Sequence, residues 1–332
     1  MNKGTVLLFH SIDNRNLDSF KNLGNIHPEL FQKFLTVLRK EFDIVSLEDV
    51  VSSVSGSGKR GERLLALTFD DGTKSYAASA VPIMESLHVP STCFLITDCI
   101  GDRAMYWRYL FNVCIHRDRG SELAGLVNKE YGSSITEKEV ISFTRGNFNV
   151  LKNRNIIRGI FRNIISEEEY RAQERNLFLS LDDISALKKH PLVRFGIHTC
   201  THPVMMLLST EEIRKEIAGS IDFYRDKIHS GFPMLSIPFG RLYRDFDERT
   251  ISIAQALSIR HIFSAYGGIN TEGQPLYNMR RIPVRGEMLE QGIHSYINRL
   301  KTATLEGEYV EKEKRLADAL EKVRSTLRHA QD

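Results

Sequence analysis

Two short stretches carry most of the chemistry this sequence can offer. Residues 67–72 read L-T-F-D-D-G, an apolar run that ends in adjacent carboxylates, Asp70 and Asp71. Neighbouring acids repel each other and seek water. A chain that sets them at the mouth of a buried strand generally offsets that cost with a cation or a proton transfer. Taken alone, the same residues also read as a solvated Asp-Gly turn. Residues 198–203 read H-T-C-T-H-P, again after an apolar run, 193–197. Histidines four apart share a face if the backbone makes a helical turn between them. Imidazoles so placed suit zinc or a similar borderline metal, and a satisfied structural pair is the plain alternative. Together the two stretches supply one carboxylate and two imidazoles, the ligand set of a catalytic zinc with an open position for water. One aspartate is left over, and metal-activated hydrolysis needs a base for the water's proton. A third stretch, S-I-P-F-G at 236–240, puts Pro and Gly in a tight turn. Such a turn either reverses the chain or presents a backbone N–H to a developing oxyanion.

These groups need elements to hold them. Residues 5–9 and 44–45 read as strands, and 28–40 carries a helical stripe of Leu30, Phe31, Phe34, Leu35 and Leu38. A short helix is expected over 46–54 with Ser46 as its cap, then a Gly/Ser/Lys loop over 55–63. The strand 64–69 carries the aspartates, and a helix 77–87 and a strand 91–96 follow it. Strand, helix and strand alternate, which argues for a parallel α/β arrangement. The alternation stops between about 103 and 190, a largely helical stretch that reads as an insertion. It resumes with strands at 193–197, 234–237, 262–265 and 279–284 and helices at 210–228 and 248–257. Barrels and doubly wound sheets both collect ligands at the C-terminal ends of their strands, and Asp70 and Asp71 sit at such an end. The expected organisation is one barrel domain over 1–300, interrupted by the insertion, and a charged C-terminal helix over 301–332. Leu316, Leu320, Val323 and Leu327 form a stripe there that could dock on the body or pair with another chain.

Composition bounds the function classes. The 332 residues are 42% hydrophobic and 26% charged with net charge +3, an ordinary globular balance that gives no argument for nucleic acid. No run approaches the roughly 18 apolar residues of a membrane helix. The N-terminal apolar run is too short for a secretory signal, so a cytoplasmic protein is expected. Cys93, Cys99, Cys114 and Cys200 show no C-x-x-C pairing, so neither a disulfide framework nor a zinc knuckle is signalled.

The ordered set T-F-D-D-G, H-T-x-T-H-P and P-F-G resembles the polysaccharide deacetylase family, the NodB-homology carbohydrate esterases. The resemblance covers residues 1–100 and 190–285 and includes I-H-P-E-L-F-Q-K-F-L, L-S-T-E-E-I-R-K-E-I and R-R-I-P-V. It implies a distorted (β/α)7 barrel that hydrolyses N-acetyl, O-acetyl or N-formyl groups from sugars. By position, Asp70 would be the general base, and Asp71, His198 and His202 would hold a divalent metal. Zn2+ is the first choice, with Co2+, Ni2+ or Fe2+ as alternatives. The Phe239 N–H would face the oxyanion, and Pro238 and Gly240 would shape the substrate side of that turn. Much of the family has an arginine two residues before the motif proline, where this chain has Ser236. The exopolysaccharide branch, which acts on poly-N-acetylglucosamine, also lacks it, and Arg281 is the candidate substitute. The family's acid histidine closes a C-terminal strand. The matching pattern here is V-L-L-F-H at 6–10, a permuted position that the exopolysaccharide branch shares, and it nominates His10 as general acid.

The insertion holds the only tryptophan, Trp107, either a stacking platform for a sugar ring or a core residue. Residues 140–166 carry Arg145, Lys152, Arg154, Arg158 and Arg162 without an acid, around a stripe of Ile157, Ile160, Phe161 and Ile164. That pattern fits a peripheral membrane contact or a solvated cap on the barrel. The expected substrate is an acetylated sugar, as a cytoplasmic or lipid-linked glycan precursor. The competing readings are an amidase or deformylase acting on a non-polymer amide and a catalytically silent carbohydrate-binding barrel.

Overall fold

The computed structural model describes residues 3–14, 24–58, 63–101, 106–147, 159–229, 233–305 and 307–329. Its centre is a curled sheet of β1 (Lys3–Phe9), β2 (Asp43–Ile44), β3 (Leu64–Phe69), β4 (Ser91–Leu95), β5 (Val193–Ile197), β6 (Leu235–Ser236), β7 (Ile262–Phe263), β8 (Asn270–Thr271) and β9 (Ile282–Pro283). The spatial order is β7, β6, β5, β4, β3, β1 and β8, with β2 against β3 and β9 against β1. The β1–β8 pairing is antiparallel, and the other pairings are parallel. Every residue of β3 is buried, as a parallel strand covered on both faces requires, so L-L-A-L-T-F reads as a continuous apolar run rather than an alternation. Met279 bridges Phe263, and Ile282 lies beside Leu7. The segment 279–283 therefore runs from β7 to β1 and draws the two sides of the curl together. This is the distorted barrel of the deacetylase type that the motifs imply.

The helices cover the sheet for legible reasons. Pro28–Glu41 opens with Pro at its first turn, has Glu29 near its N-terminus and Arg39 and Lys40 in its last turn, and buries Phe31, Phe34, Leu35 and Leu38. Thr210–Lys227 starts with a reciprocal Ser209–Glu212 capping box. The helix expected over 77–87 is found as a π turn, Tyr76–Ala80, running into Val81–Ser86. The Val81 N–H reaches Tyr76 O, and Pro82 has no N–H with which to continue the ladder.

The insertion has a core of its own. The helices Trp107–His116, Gly120–Tyr131, Val140–Asn147 and Glu167–Leu177 lie in it. Ile160, Phe161 and Ile164 are buried in that second core. The described part of the 140–166 stripe is thus covered by the protein itself. Ile157, Lys152, Arg154 and Arg158 lie outside the described residues. Among the described residues no helix is long and apolar enough to cross a membrane. The helix Gly307–His329 buries Leu316 and Leu320 in the main core, so that part of its stripe docks on the body. The side chains of Val323 and Leu327 lie outside the described set.

Candidate active site

Parallel strands deliver their C-terminal ends to one rim, and the motifs follow those ends. Phe9 of β1 pairs with Phe69 of β3, so His10 emerges beside Asp70. The tie is direct, because Asp70 N–H donates to Phe9 O at 2.9 Å. His198 leaves β5 with its N–H on Leu95 O at 2.8 Å.

Asp70 is fully engaged. Arg281 donates Nη1 to Oδ1 at 2.7 Å and Nη2 to Oδ2 at 2.8 Å, a two-pronged ion pair buried on both sides. Arg281 also gives Nη2 to Ser236 Oγ at 2.7 Å and Nε to Ser264 O at 2.8 Å. Ser236 Oγ in turn donates to Asp70 Oδ2 at 3.1 Å. Burial alone would push the Asp70 carboxyl up. The Arg281 guanidinium outweighs it, with His198 adding to the effect, and holds Asp70 well below the usual carboxylate range. Arg281 thus reaches Asp70 from the closing segment of the barrel, and Ser236, at the place of the missing motif arginine, completes the contact.

Asp71 has a different surrounding. Tyr109 Oη donates to its Oδ2 at 2.6 Å, and the phenol, pushed up by burial and by Asp71 itself, stays protonated. Asp71 Oδ1 is buried with no hydrogen-bond partner among the described residues. It faces His198 Nε2 and His202 Nε2, each at 3.6 Å. His198 Nδ1 is 2.8 Å from Ser236 O. A carbonyl only accepts, so Nδ1 is the donor in that contact and Nε2 is the ring atom turned toward the carboxylates of Asp70 and Asp71. Burial, then the neighbouring His198, push His202 well below its ordinary value, which favours its neutral form. Three Lewis-basic groups converge: one ligand atom each from Asp71, His198 and His202 lies within 4.8 Å of the others. A divalent cation fits this donor set. It would satisfy the orphaned oxygen, and the Nδ1 bond of His198 supplies the orienting outer contact such ligands need.

The loops that aim these side chains are not helical. Asp71 (φ 74°), Thr199 (φ 63°), His202 (φ 59°) and Phe239 (φ 58°) all have left-handed backbone. For the β-branched Thr199 that is a true outlier, and such conformations collect where function over-determines the chain. The helical turn expected between His198 and His202 is therefore replaced by a strained loop. Glu216 holds it from inside the helix Thr210–Lys227: its carboxylate accepts from Cys200 N and Thr201 N, each at 2.9 Å, and from Thr201 Oγ1 at 2.7 Å. Burial pushes the Glu216 carboxyl up. In the third loop Gly240 N–H turns back onto Pro238 O at 2.6 Å. A Cβ on Gly240 would come within 2.4 Å of Ala265 N, so only glycine fits, and among the described residues no backbone acceptor engages the Phe239 N–H.

The cluster opens into a cavity of about 440 Å3 lined by His10, Asp70, Asp71, His198, His202 and Phe239 among others. The structure thus brings together all three sequence motifs, His10 and Arg281. It does not bring Trp107 there. Trp107 is 3% exposed and packs its ring on Tyr106 and Phe111, so the stacking platform is corrected to a core residue. Pro238 and Gly240 are buried behind Phe239 and do not line the cavity, which corrects their expected contact with substrate. Sequence reasoning missed Tyr106, Tyr109 and Glu216. Tyr106 lies 4.3 Å, ring to ring, from His202. The signal was present in Y-W-R-Y: residues three apart on a helix share a face, and Trp107 between them points away.

A sequence model of the family described as polysaccharide deacetylase matches residues 57–262, a span that contains both aspartates, both histidines and the P-F-G turn. No curated protein matches. Among solved structures, the chain is similar to the deacetylase PplD of Streptococcus pyogenes, solved in complex with acetate (17% identity, TM-score 0.58, 89% of this chain and 97% of that one covered). It is also similar to IcaB from Ammonifex degensii (15%, 0.59, 89% and 97%) and to a de-N-acetylase from Aggregatibacter actinomycetemcomitans (14%, 0.55, 86% and 96%). At such identities the likeness is one of fold.

Proposed function

The chain belongs to the polysaccharide deacetylase family, and from that premise we propose a metal-dependent hydrolase that removes an N-acetyl or related acyl group from a sugar. In this proposal Asp71, His198 and His202 hold the metal, Asp70 is the base and His10 the acid. The observation that carries it is Asp71 Oδ1, a buried oxygen without a donor, set 3.6 Å from two imidazole nitrogens.

A divalent cation there, zinc first and cobalt, nickel or iron as alternatives, would supply Lewis acidity toward the acyl oxygen and lower the pKa of water from about 16 toward about 7. Asp70, kept ionised by Arg281, takes the proton as water attacks the acyl carbon, and the two-pronged contact fixes the direction of its oxygens. The Phe239 N–H stabilises the oxyanion that develops. His10 gives a proton to the departing sugar nitrogen, because an amine anion is too poor a leaving group. The products are the free carboxylic acid and the sugar amine.

The proposed substrate is a short or carrier-linked glycan precursor in the cytoplasm. A cavity of about 440 Å3 is of small-molecule size, which suits a short acylated sugar. The test is acetate or formate release from N-acyl sugars, before chelation, after it, and after zinc is returned. Release that stops with the chelator and recovers with zinc supports the proposal. Release indifferent to the chelator contradicts the metal, and no release from any N-acyl sugar by a zinc-loaded protein contradicts the reaction.

A further inference from the structure

The cavity wall is strongly one-sided in charge. Arg108, Arg145, Arg241, Arg244 and Arg285 line it, and among the described residues the only lining carboxylates are Asp70 and Asp71. Asp70 is already neutralised by Arg281, and Asp71 faces the two imidazoles. Of the five arginines, Arg145 is paired with Asp245 and lies over the Phe239 ring at 4.5 Å, so its place is structural as well as electrostatic. Among the described residues Arg108, Arg241, Arg244 and Arg285 have no carboxylate partner within ion-pair reach. The unmodified sugar of an N-acyl substrate carries no charge that would call for them.

Two of these arginines also occupy a special position. A second cavity, of about 490 Å3, shares Arg241, Ala265, Pro283 and Arg285 with the first. Arg241 and Arg285 therefore stand on the wall common to the two cavities, one leading to the Asp–His cluster and the other away from it. The second cavity has Tyr266, Tyr296 and Tyr309 in its lining. Among the described residues its one lining carboxylate is Glu308, paired with Lys312 at 3.5 Å. Guanidinium groups are the side chains best shaped for the oxygens of a phosphate.

We propose that Arg241 and Arg285 form an anion subsite for a phosphate or diphosphate carried by the acylated sugar. The sugar sits over Asp70 and Asp71, and the group beyond the phosphate continues into the second cavity. The inference rests on the deacylase reading and names the substrate class within it: a glycosyl phosphate or diphosphate, whether the far end is a nucleoside or a lipid.

The test compares four substrates: a neutral N-acetyl sugar, its 1-phosphate, a nucleoside-diphosphate N-acetyl sugar and a short prenyl-diphosphate N-acetyl sugar. Zinc-loaded wild type and Arg241→Gln/Arg285→Gln are assayed side by side. The expected result is a kcat/KM at least tenfold higher for a phosphorylated substrate than for the neutral one, with the ratio falling at least tenfold in the double variant. The better of the two diphosphate arms identifies the carrier. A ratio near one in wild type, or a preference that survives in the variant, overturns the subsite while leaving the deacylase reading intact. Calorimetry with inorganic pyrophosphate separates the two failures. If no substrate is turned over, pyrophosphate binding that persists in Asp71→Ala and is lost in the arginine variant keeps the subsite. Pyrophosphate binding lost in Asp71→Ala and kept in the arginine variant, or no binding at all, overturns it.

Discussion

Asp70 and Asp71 are consecutive residues that share one neighbour, His198 Nε2 at 3.5 and 3.6 Å, and otherwise have different partners. Asp70 faces the side where the barrel closes, and both of its oxygens are taken by Arg281, with Ser236 adding a third contact. Asp71 faces the inserted helices, where Tyr109 satisfies one oxygen and the other is left without a donor. The backbone makes the difference: Asp71 is left-handed at φ 74°, so two neighbouring side chains are sent to different walls. Two acids that share one environment would share one proton. Two acids with separate partners can take separate tasks, one held ionised by Arg281 at the cavity wall and one open to a ligand from outside.

That contrast can be broken from either side. Replacing Asp71 with Asn is expected to drop acyl release to background and to abolish zinc-induced stabilisation. In wild type, zinc at about 1,000 times its Kd is worth about 4 kcal/mol, so thermal melts with and without zinc read the difference. Asp70→Asn is expected to lower kcat by about 100- to 10,000-fold, the range of a lost general base, with the zinc shift retained.

Arg281→Met leaves Asp70 buried without its partner and is expected to cost about 3–5 kcal/mol in denaturant unfolding. The same variant tests the pH dependence. A carboxyl whose folded pKa is depressed contributes stability above its unfolded value, about 3.9, and loses it as pH falls from there toward the folded value. Wild type should therefore lose the Asp70 contribution only below about pH 4, whereas Arg281→Met should lack that acid-side slope. The acid limb of its kcat/KM profile should move to higher pH.

Tyr109→Phe removes the donor to Asp71 Oδ2 without changing shape. The expected effect is a zinc affinity weaker by about tenfold or somewhat more, read by competition with a chromogenic chelator. Glu216→Gln is the smallest change, about 1–2 kcal/mol for one lost charge-assisted acceptor, with a few-fold weaker zinc binding because the His198–His202 loop loosens.

Much of this site was legible in the sequence, for a specific reason. In a parallel α/β sheet the strands are continuous apolar runs, so the residue types just after each run are the residues of the rim. Asp70, Asp71, His198, His202 and Phe239 could be found that way. The partners could not. Arg281 is 211 positions from Asp70 and meets it only because 279–283 touches both β7 and β1. Ser236 looked like a loss when read alone, yet it accepts from Arg281 and donates to Asp70. Tyr109 comes from the insertion, whose alternation of elements is unrelated to that of the barrel, and Trp107 drew attention by its rarity although its helix face turns it inward. The left-handed backbone at Thr199 and His202 was hidden as well. Residue spacing is compatible with a helical turn, and the hold of Glu216 on Cys200 and Thr201, with His202 N–H on Thr199 Oγ1, fixes another path.

The division between the two acids is tested most directly by metal content. Wild type, Asp70→Asn and Asp71→Asn would be purified without chelator, checked for folding by circular dichroism and analysed by inductively coupled plasma mass spectrometry. About one divalent metal per chain is expected in wild type and in Asp70→Asn, and none in Asp71→Asn, a stoichiometry that follows from a single three-ligand site. Equal metal in both variants, or loss confined to Asp70→Asn, would contradict it.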